Sequence, residues 1–233
     1  MATSVYVHFP WCLKKCPYCD FASATIRRPE VPHRAYADAV LAELAWRTAA
    51  SPGDTLASVF FGGGTPSLWA AEEIGRVLQA ILAAHPNVAP ALEVTVECNP
   101  SSLDAAVARS LRQAGVNRLS IGVQGLDDAR LRFLGRLHDA DAAVRAVAGA
   151  LAEVPRVSGD LIFGLPGQSP ERAAYEAKQL LACGLSHLSV YALTIESGTQ
   201  FGQLHRKGKL PMAAEDDVAD SFLRIEQALA EEG

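Results

Sequence analysis

Cys12, Cys16 and Cys19 stand in a C-x3-C-x2-C spacing within the stretch YVHFPWCLKKCPYCDF, and three thiols this close along a chain make a metal clip. Thiolates are soft ligands that favour iron–sulfur clusters, zinc or copper(I). A structural zinc site takes four protein ligands, and no fourth cysteine lies nearby, although His8 is placed to complete one as readily as to pack or hydrogen-bond along its own segment. Ferredoxin-type clusters are usually held by four cysteines. Three thiolates would leave one iron of a cubane cluster open, and an open iron can chelate a substrate. An odd total of five cysteines, three of them clustered, is a poor disulfide framework. Cys98 and Cys183 stand alone, and a lone free cysteine usually behaves as a small buried hydrophobe.

Other residues with chemical potential sit where extended runs end. FFGGGTPS, spanning 60–67, has three successive glycines. Without Cβ atoms a ligand can approach Gly63, Gly64 and Thr65 at the backbone, although a plain strand-to-helix turn reads the same way. It is no P-loop, because no Gly-Lys-Ser/Thr follows. Glu97 closes VTVE as either a site carboxylate or a solvated cap. Gln124 closes NRLSIGVQ with an amide suited to a sugar or carboxylate. Arg136 in LGRLH offers a planar fork for a carboxylate, although an isolated arginine is more often a surface charge. Asp160 lies in SGDLIFG among apolar sequence neighbours, where a buried carboxylate needs a partner.

The elements that must carry these groups alternate. Strand-like runs occur at Val5–Phe9, Leu56–Phe61, Leu92–Val96, Arg118–Val123, Val157–Phe163 and Leu188–Leu193. Helical periodicity follows each, through residue sets such as Tyr36, Val40 and Leu44, or Ile74, Val77 and Ile81. Further sets run through Leu103, Val107 and Leu111, through Val144, Val147 and Leu151, and through Val218, Phe222, Ile225 and Leu229. Gly115 and Gly184 are natural helix stops, and Ser169–Pro170 is a helix start with serine at N-cap and proline at N1. Six β–α units in series imply an α/β fold with a parallel sheet and helices on its outer face. Either an open doubly wound sheet or part of a barrel satisfies that pattern. In both, ligands gather at the C-terminal ends of the strands.

Composition excludes several classes. The 233 residues suffice for one large α/β domain. A net charge of −5 argues against a nucleic-acid footprint. No apolar run approaches the roughly 18 residues of a membrane span. MATSVYVHFPW has no basic start followed by a long apolar stretch, so it does not read as a secretory signal, and a cytoplasmic location is expected.

C-x3-C-x2-C with an aromatic, Tyr18, before the third cysteine is similar to the signature of radical S-adenosylmethionine (SAM) proteins. That resemblance implies a partial (β/α)6 parallel barrel in which Cys12, Cys16 and Cys19 hold a [4Fe–4S] cluster. It also implies that the open iron takes the amino and carboxylate groups of SAM, whose sulfonium is then cleaved reductively. By the same resemblance Tyr6, Tyr18, Gly63, Gly64, Thr65, Glu97, Gln124, Arg136 and Asp160 are SAM-site candidates.

The longer set YVHFPWC, FFGGGTPSL, ECNPSSL, NRLSIGVQ, LGRLH, GDLIFGLPGQ and LSVYALTIESGT resembles the oxygen-independent coproporphyrinogen III oxidase group over most of the chain. That group includes an enzyme that oxidatively decarboxylates two propionates of coproporphyrinogen III in porphyrin biosynthesis. It also includes the HemW heme chaperones, which bind heme and pass it to acceptor proteins. The enzyme carries a fourth cysteine two residues beyond the third; here that position is Phe21, which favours the chaperone class, with the oxidase as the alternative. Heme is then the expected cargo, with an acceptor protein and an electron donor as partners. His8, His138 and His205 are candidate heme ligands or, more ordinarily, structural and surface histidines. Residues 1–233 are expected to form one radical SAM core. The group's usual smaller C-terminal domain is expected to be absent, since the chain ends at Gly233 on a helix.

Overall fold

A computed structural model describes residues 2–48 and 54–232, so that Gly233 lies outside the described residues. The main strands are β1 (Ala2–Phe9), β4 (Thr55–Gly63), β5 (Asn87–Cys98), β6 (Arg118–Gln124), β7 (Arg156–Phe163) and β8 (His187–Ala192). Between β1 and β4, the two-residue strands β2 (Trp11–Cys12) and β3 (Ala24–Thr25) pair with each other. The helices are α1 (His33–Thr48), α2 (Ala71–Ala84), α3 (Ala105–Gln113), α4 (Asp128–Phe133), α5 (Ala140–Glu153), α6 (Pro170–Ala182), α7 (Gln200–Arg206) and α8 (Glu215–Glu232).

The six main strands form one sheet in the order β1-β4-β5-β6-β7-β8, and every pairing is parallel. Spatial order therefore follows chain order without the reversal that defines a doubly wound sheet. Right-handed crossovers then place the helices on one side, which is the arrangement of a partial barrel. The expected α/β fold with six β–α units is borne out, and strand order decides between its two forms.

Alternation along the strands sorts the two faces. Val7, Phe9, Val59, Phe61, Val94, Val96, Leu119, Ile121, Val157 and Leu161 are buried together with Ile74, Leu78, Leu111 and Leu180 of the helices in one core. The alternate positions are polar: Glu93, Thr95 and Glu97 on β5, Arg118 and Ser120 on β6, Ser158 and Asp160 on β7. Parallel strands covered on both faces are near-continuous apolar runs. Here the inner face is left for polar chemistry.

Caps set the helix starts. Asp104, Asp127, Asp139, Ser169 and Thr199 each accept a backbone N–H from the first turn of α3, α4, α5, α6 and α7, respectively, each cap contributing about 1 kcal/mol. Gly115 and Gly184 follow α3 and α6 with φ of 102° and 98°, the left-handed geometry expected of helix stops. Among the described residues, no helix is long and apolar enough to cross a membrane.

Candidate functional site

The cysteine segment leaves the C-terminal end of β1 and is closed on itself by the β2–β3 pairing. Inside it, Cys19 N donates to Cys16 O at 3.1 Å, His8 Nε2 bonds Ala22 O at 2.7 Å, and Lys15 Nζ donates to Phe21 O at 2.9 Å. His8 is thus a hydrogen-bonded strand residue, its Nδ1 lying 3.2 Å from the Tyr6 hydroxyl. Two groups from elsewhere reach the thiols: Thr65 Oγ1 donates to Cys12 Sγ at 3.3 Å, and Arg136 Nη1 to Cys16 Sγ at 3.5 Å. Partial burial pushes the Cys19 thiol up. From outside, Phe201 N at the start of α7 donates to Pro17 O at 2.8 Å, and its ring lies 6.4 Å from that of Tyr18.

Cys12, Cys16 and Cys19, all free thiols, line one cavity of about 380 Å³. Among the described residues no three His, Cys, Asp or Glu side chains converge on a point as ligands of one metal ion. Three thiols lining one cavity suit a cluster, in which each thiolate takes a different iron.

The glycine run closes the next side. Gly63 N donates to Glu97 Oε2 at 3.0 Å, joining the ends of β4 and β5. Gly63 has φ 109°, and a Cβ there would lie 2.7 Å from the His8 ring; a Cβ on Gly64 would lie 2.6 Å from Trp11 O. The missing side chains therefore serve close packing against the cysteine segment as well as an open backbone. Gly64 N and Thr65 N complete the seam, donating to Phe9 O and Trp11 O at 2.6 and 2.8 Å.

The next wall is built on an irregularity. The β6–β7 register slips between Gly122 and Gln124, and Gln124 adopts φ 69°, the left-handed region that non-glycine residues seldom enter. Such a bulge re-aims a side chain. Gln124 Oε1 is buried without a hydrogen-bond partner. Arg136 arrives from the turn after α4, where Gly135 has φ 70° and Arg136 N donates to Leu131 O at 2.9 Å. Its Nη2 donates to Gly122 O at 2.8 Å, while its Nε is buried and unpartnered. His138 Nε2 bonds Val123 O at 3.0 Å and so supports the bulge from behind.

Opposite stand two carboxyls. Burial pushes Glu97 up, and the Asp160 charge adds to that shift. Burial also pushes Asp160 up, against the pull of Ser120, Ser189, Arg118 and Arg136. Leu161 and Phe163 beside Asp160 in the sequence lie on the other face, and its hydrogen-bond partners are the hydroxyls of Ser120 and Ser189. Tyr18 is likewise pushed up by burial and stays a neutral phenol.

Of the twelve residues expected at the site, the cavity brings together all but Tyr6. Tyr6 is 56% exposed, and its ring stacks at 6.0 Å on Phe60, one layer out from Glu97. Sequence reasoning missed Gly122 and Ser120, which also line the cavity. A glycine inside a strand signals a close approach, here that of Gln124 Nε2, which would lie 2.8 Å from a Cβ at Gly122. It also missed α4, whose six residues are too short for a periodic signal.

Residues 6–180 match the model of the Radical SAM superfamily. The heme chaperone HemW of Escherichia coli (strain K12) is 39% identical over 233 residues, covering 99% of this chain and 60% of that protein. Radical S-adenosyl methionine domain-containing protein 1, mitochondrial, of Danio rerio is 38% identical, covering 99% of this chain and 51% of that one. Among solved structures, the radical SAM enzyme coproporphyrinogen III oxidase (HemN) of Escherichia coli superposes with a TM-score of 0.84 at 26% identity, covering 99% of this chain and 52% of that chain. The chain thus spans between 51% and 60% of the lengths of these proteins.

Radical SAM proteins use a [4Fe–4S] cluster and SAM, and the donor set here fits both. Cys12, Cys16 and Cys19 share a cavity with Glu97, Asp160, Arg136 and Gln124, and Gln124 Oε1 and Arg136 Nε keep unused hydrogen-bonding capacity. By the span of the matched model, by its fold and by this site, the chain belongs to the radical SAM superfamily.

Proposed function

We infer that Cys12, Cys16 and Cys19 each ligate one iron of a [4Fe–4S] cluster, that SAM chelates the fourth, and that this unit serves a cytoplasmic heme chaperone. When bound, cluster and SAM together supply a reducing electron and a cleavable sulfonium. The chain's own residues bind and orient. Glu97 and Asp160 face the cationic ligand with carboxyl oxygens, and Arg136 takes its carboxylate. Gln124 serves a hydroxyl or carboxylate oxygen, and Gly63, Gly64 and Thr65 offer backbone at close range. Tyr18 packs behind Cys16 and Cys19, and Tyr6 holds His8, which holds the cysteine segment. Five free cysteines suit a reducing compartment.

The observation that carries the chaperone reading is Phe21. It lines the cavity two residues beyond Cys19 and is 56% exposed, and it supplies neither a ligand nor a proton. The 39% identity to a heme chaperone over 233 residues points the same way. The likeness to coproporphyrinogen III oxidase, with a TM-score of 0.84, supports the second reading, radical decarboxylation of a porphyrinogen.

One experiment separates them. The anaerobically reconstituted chain is titrated with heme while the Soret band is followed, and is incubated in parallel with coproporphyrinogen III, SAM and a reductant. A saturable Soret shift without protoporphyrinogen supports the chaperone. Protoporphyrinogen formation establishes the oxidase, and absence of any Soret shift sinks the heme reading.

A further inference from the structure

The polar inner face of the sheet carries one connected line of side chains. Arg118 Nη2 donates to Ser158 Oγ at 3.0 Å, Ser158 Oγ donates to Ser120 Oγ at 3.1 Å, and Ser120 Oγ donates to Asp160 Oδ1 at 3.2 Å. The line zigzags between β6 and β7, whose register sets Ser120 beside Ser158 and Gly122 beside Asp160. Its direction is determined by chemistry. A guanidinium can only donate, so Ser158 accepts from Arg118, which frees its own proton for Ser120 and that of Ser120 for the carboxylate. Ser158 is 0% exposed, so water does not compete for its hydroxyl, and Ser120, at 8%, meets solvent only through the cavity. Ser158 has one other acceptor, Leu119 O, at the longer distance of 3.5 Å.

We propose that Arg118 is a positioning residue for Asp160, acting from the opposite end of β6 through Ser158 and Ser120 so that Asp160 meets SAM as a carboxylate. The proposal rests on reading Asp160 as a SAM contact. The other charged and titratable groups around Asp160 are Glu97 and Cys98 from β5 and Arg136 from the turn after α4. The Ser189 hydroxyl of β8 also bonds Asp160, and Glu93 Oε1 of β5 lies 3.8 Å from Arg118 Nη1. Glu97 opposes ionisation of Asp160, and so does burial. Hydrogen bonds aligned head to tail polarise one another, so a fixed positive charge at the far end strengthens the last bond, the one to Oδ1. A partner hydroxyl alone would satisfy Asp160. A line that ends on a guanidinium also sets its charge.

The test is an infrared titration of the Asp160 carboxyl in the full chain, its C=O stretch assigned by loss in Asp160→Asn. Removing a stabiliser of the carboxylate raises the pH at which it protonates. Arg118→Met, Ser158→Ala and Ser120→Ala should therefore move the midpoint to higher pH, by about one unit for Arg118→Met, while Arg118→Lys keeps most of the wild-type value. In the reconstituted protein, the acid limb of SAM affinity, read by anaerobic calorimetry, should move with it while affinity at high pH is kept. An unmoved infrared midpoint in both Arg118→Met and Ser158→Ala overturns the relay whatever SAM does. Unchanged SAM affinity in Asp160→Asn instead overturns the reading of Asp160 as a SAM contact.

Discussion

The backbone N–H of Gly63 donates to Glu97 Oε2 at 3.0 Å, so a carboxylate expected to face a ligand also ties the end of β4 to the end of β5. One oxygen is spent on the protein and the other is free for the cavity. Glu97→Gln keeps an acceptor for Gly63 but loses the charge. It should lower SAM affinity at least tenfold in anaerobic calorimetry with little change in melting temperature. Glu97→Ala should lose that affinity and also about 1 kcal/mol of stability, because a buried N–H is left without a partner.

Gly63→Ala tests the packing of the same turn. With φ 109° and a Cβ 2.7 Å from the His8 ring, both backbone strain and a clash oppose it. The expected loss is on the order of 2–3 kcal/mol, read by chemical unfolding of the cluster-free chain. Wild-type stability would show that the segment around His8 moves aside.

The five cysteines should divide three against two. Cys12→Ala, Cys16→Ala and Cys19→Ala should each lose the cluster, measured as iron and acid-labile sulfide per chain after anaerobic reconstitution. Cys98→Ala and Cys183→Ala should retain it. Cys98 touches the same cavity, but burial pushes its thiol up and its Sγ points at Val96 O, 3.6 Å away. A normal [4Fe–4S] spectrum in Cys16→Ala would refute the ligand assignment.

Glu176 is a fully buried carboxylate on α6 that pairs with Arg130 and Arg172 and accepts Leu126 N at 3.0 Å, two residues beyond Gln124. Removing one partner of a buried ion pair typically costs 3–5 kcal/mol. Glu176→Gln keeps an acceptor for Leu126 N and should cost about 3 kcal/mol, seen as a lower urea midpoint. The loop carrying Gln124 should loosen with it, lowering SAM affinity.

His138 gives stability a pH dependence of known sign. Burial and the nearby Arg136 charge push its imidazole from 6.5 down to about 4. The unfolded chain therefore binds this proton before the folded one does. The contribution is complete above pH 6.5 and is lost as pH falls from 6.5 toward 4, up to roughly 3 kcal/mol. Urea midpoints at pH 7.5 and pH 5 should differ in the wild type, and the difference should shrink in His138→Leu. An equal difference in both proteins would place the effect elsewhere.

The chemistry-bearing residues were legible in the chain where their signal is contiguous. Three thiols within one short loop, and strand ends marked by β-branched runs followed by glycine or a capping residue, are local patterns, because side-chain alternation and cap chemistry act over a few residues. The six main strands accordingly lie within a few positions of where the apolar runs placed them. What the tertiary structure decided depends on pairing between distant segments. Strand order made the sheet a partial barrel. The turn after the six-residue α4, with Gly135 at φ 70°, carries Arg136 into the cavity where the family resemblance, and not its own local sequence, had placed it. The register of β6 on β7 brought Ser120 and Ser158 into line between Arg118 and Asp160. Register and strand order are set by burial of the opposite, apolar face against the helices, a collective condition that no single stretch of sequence encodes.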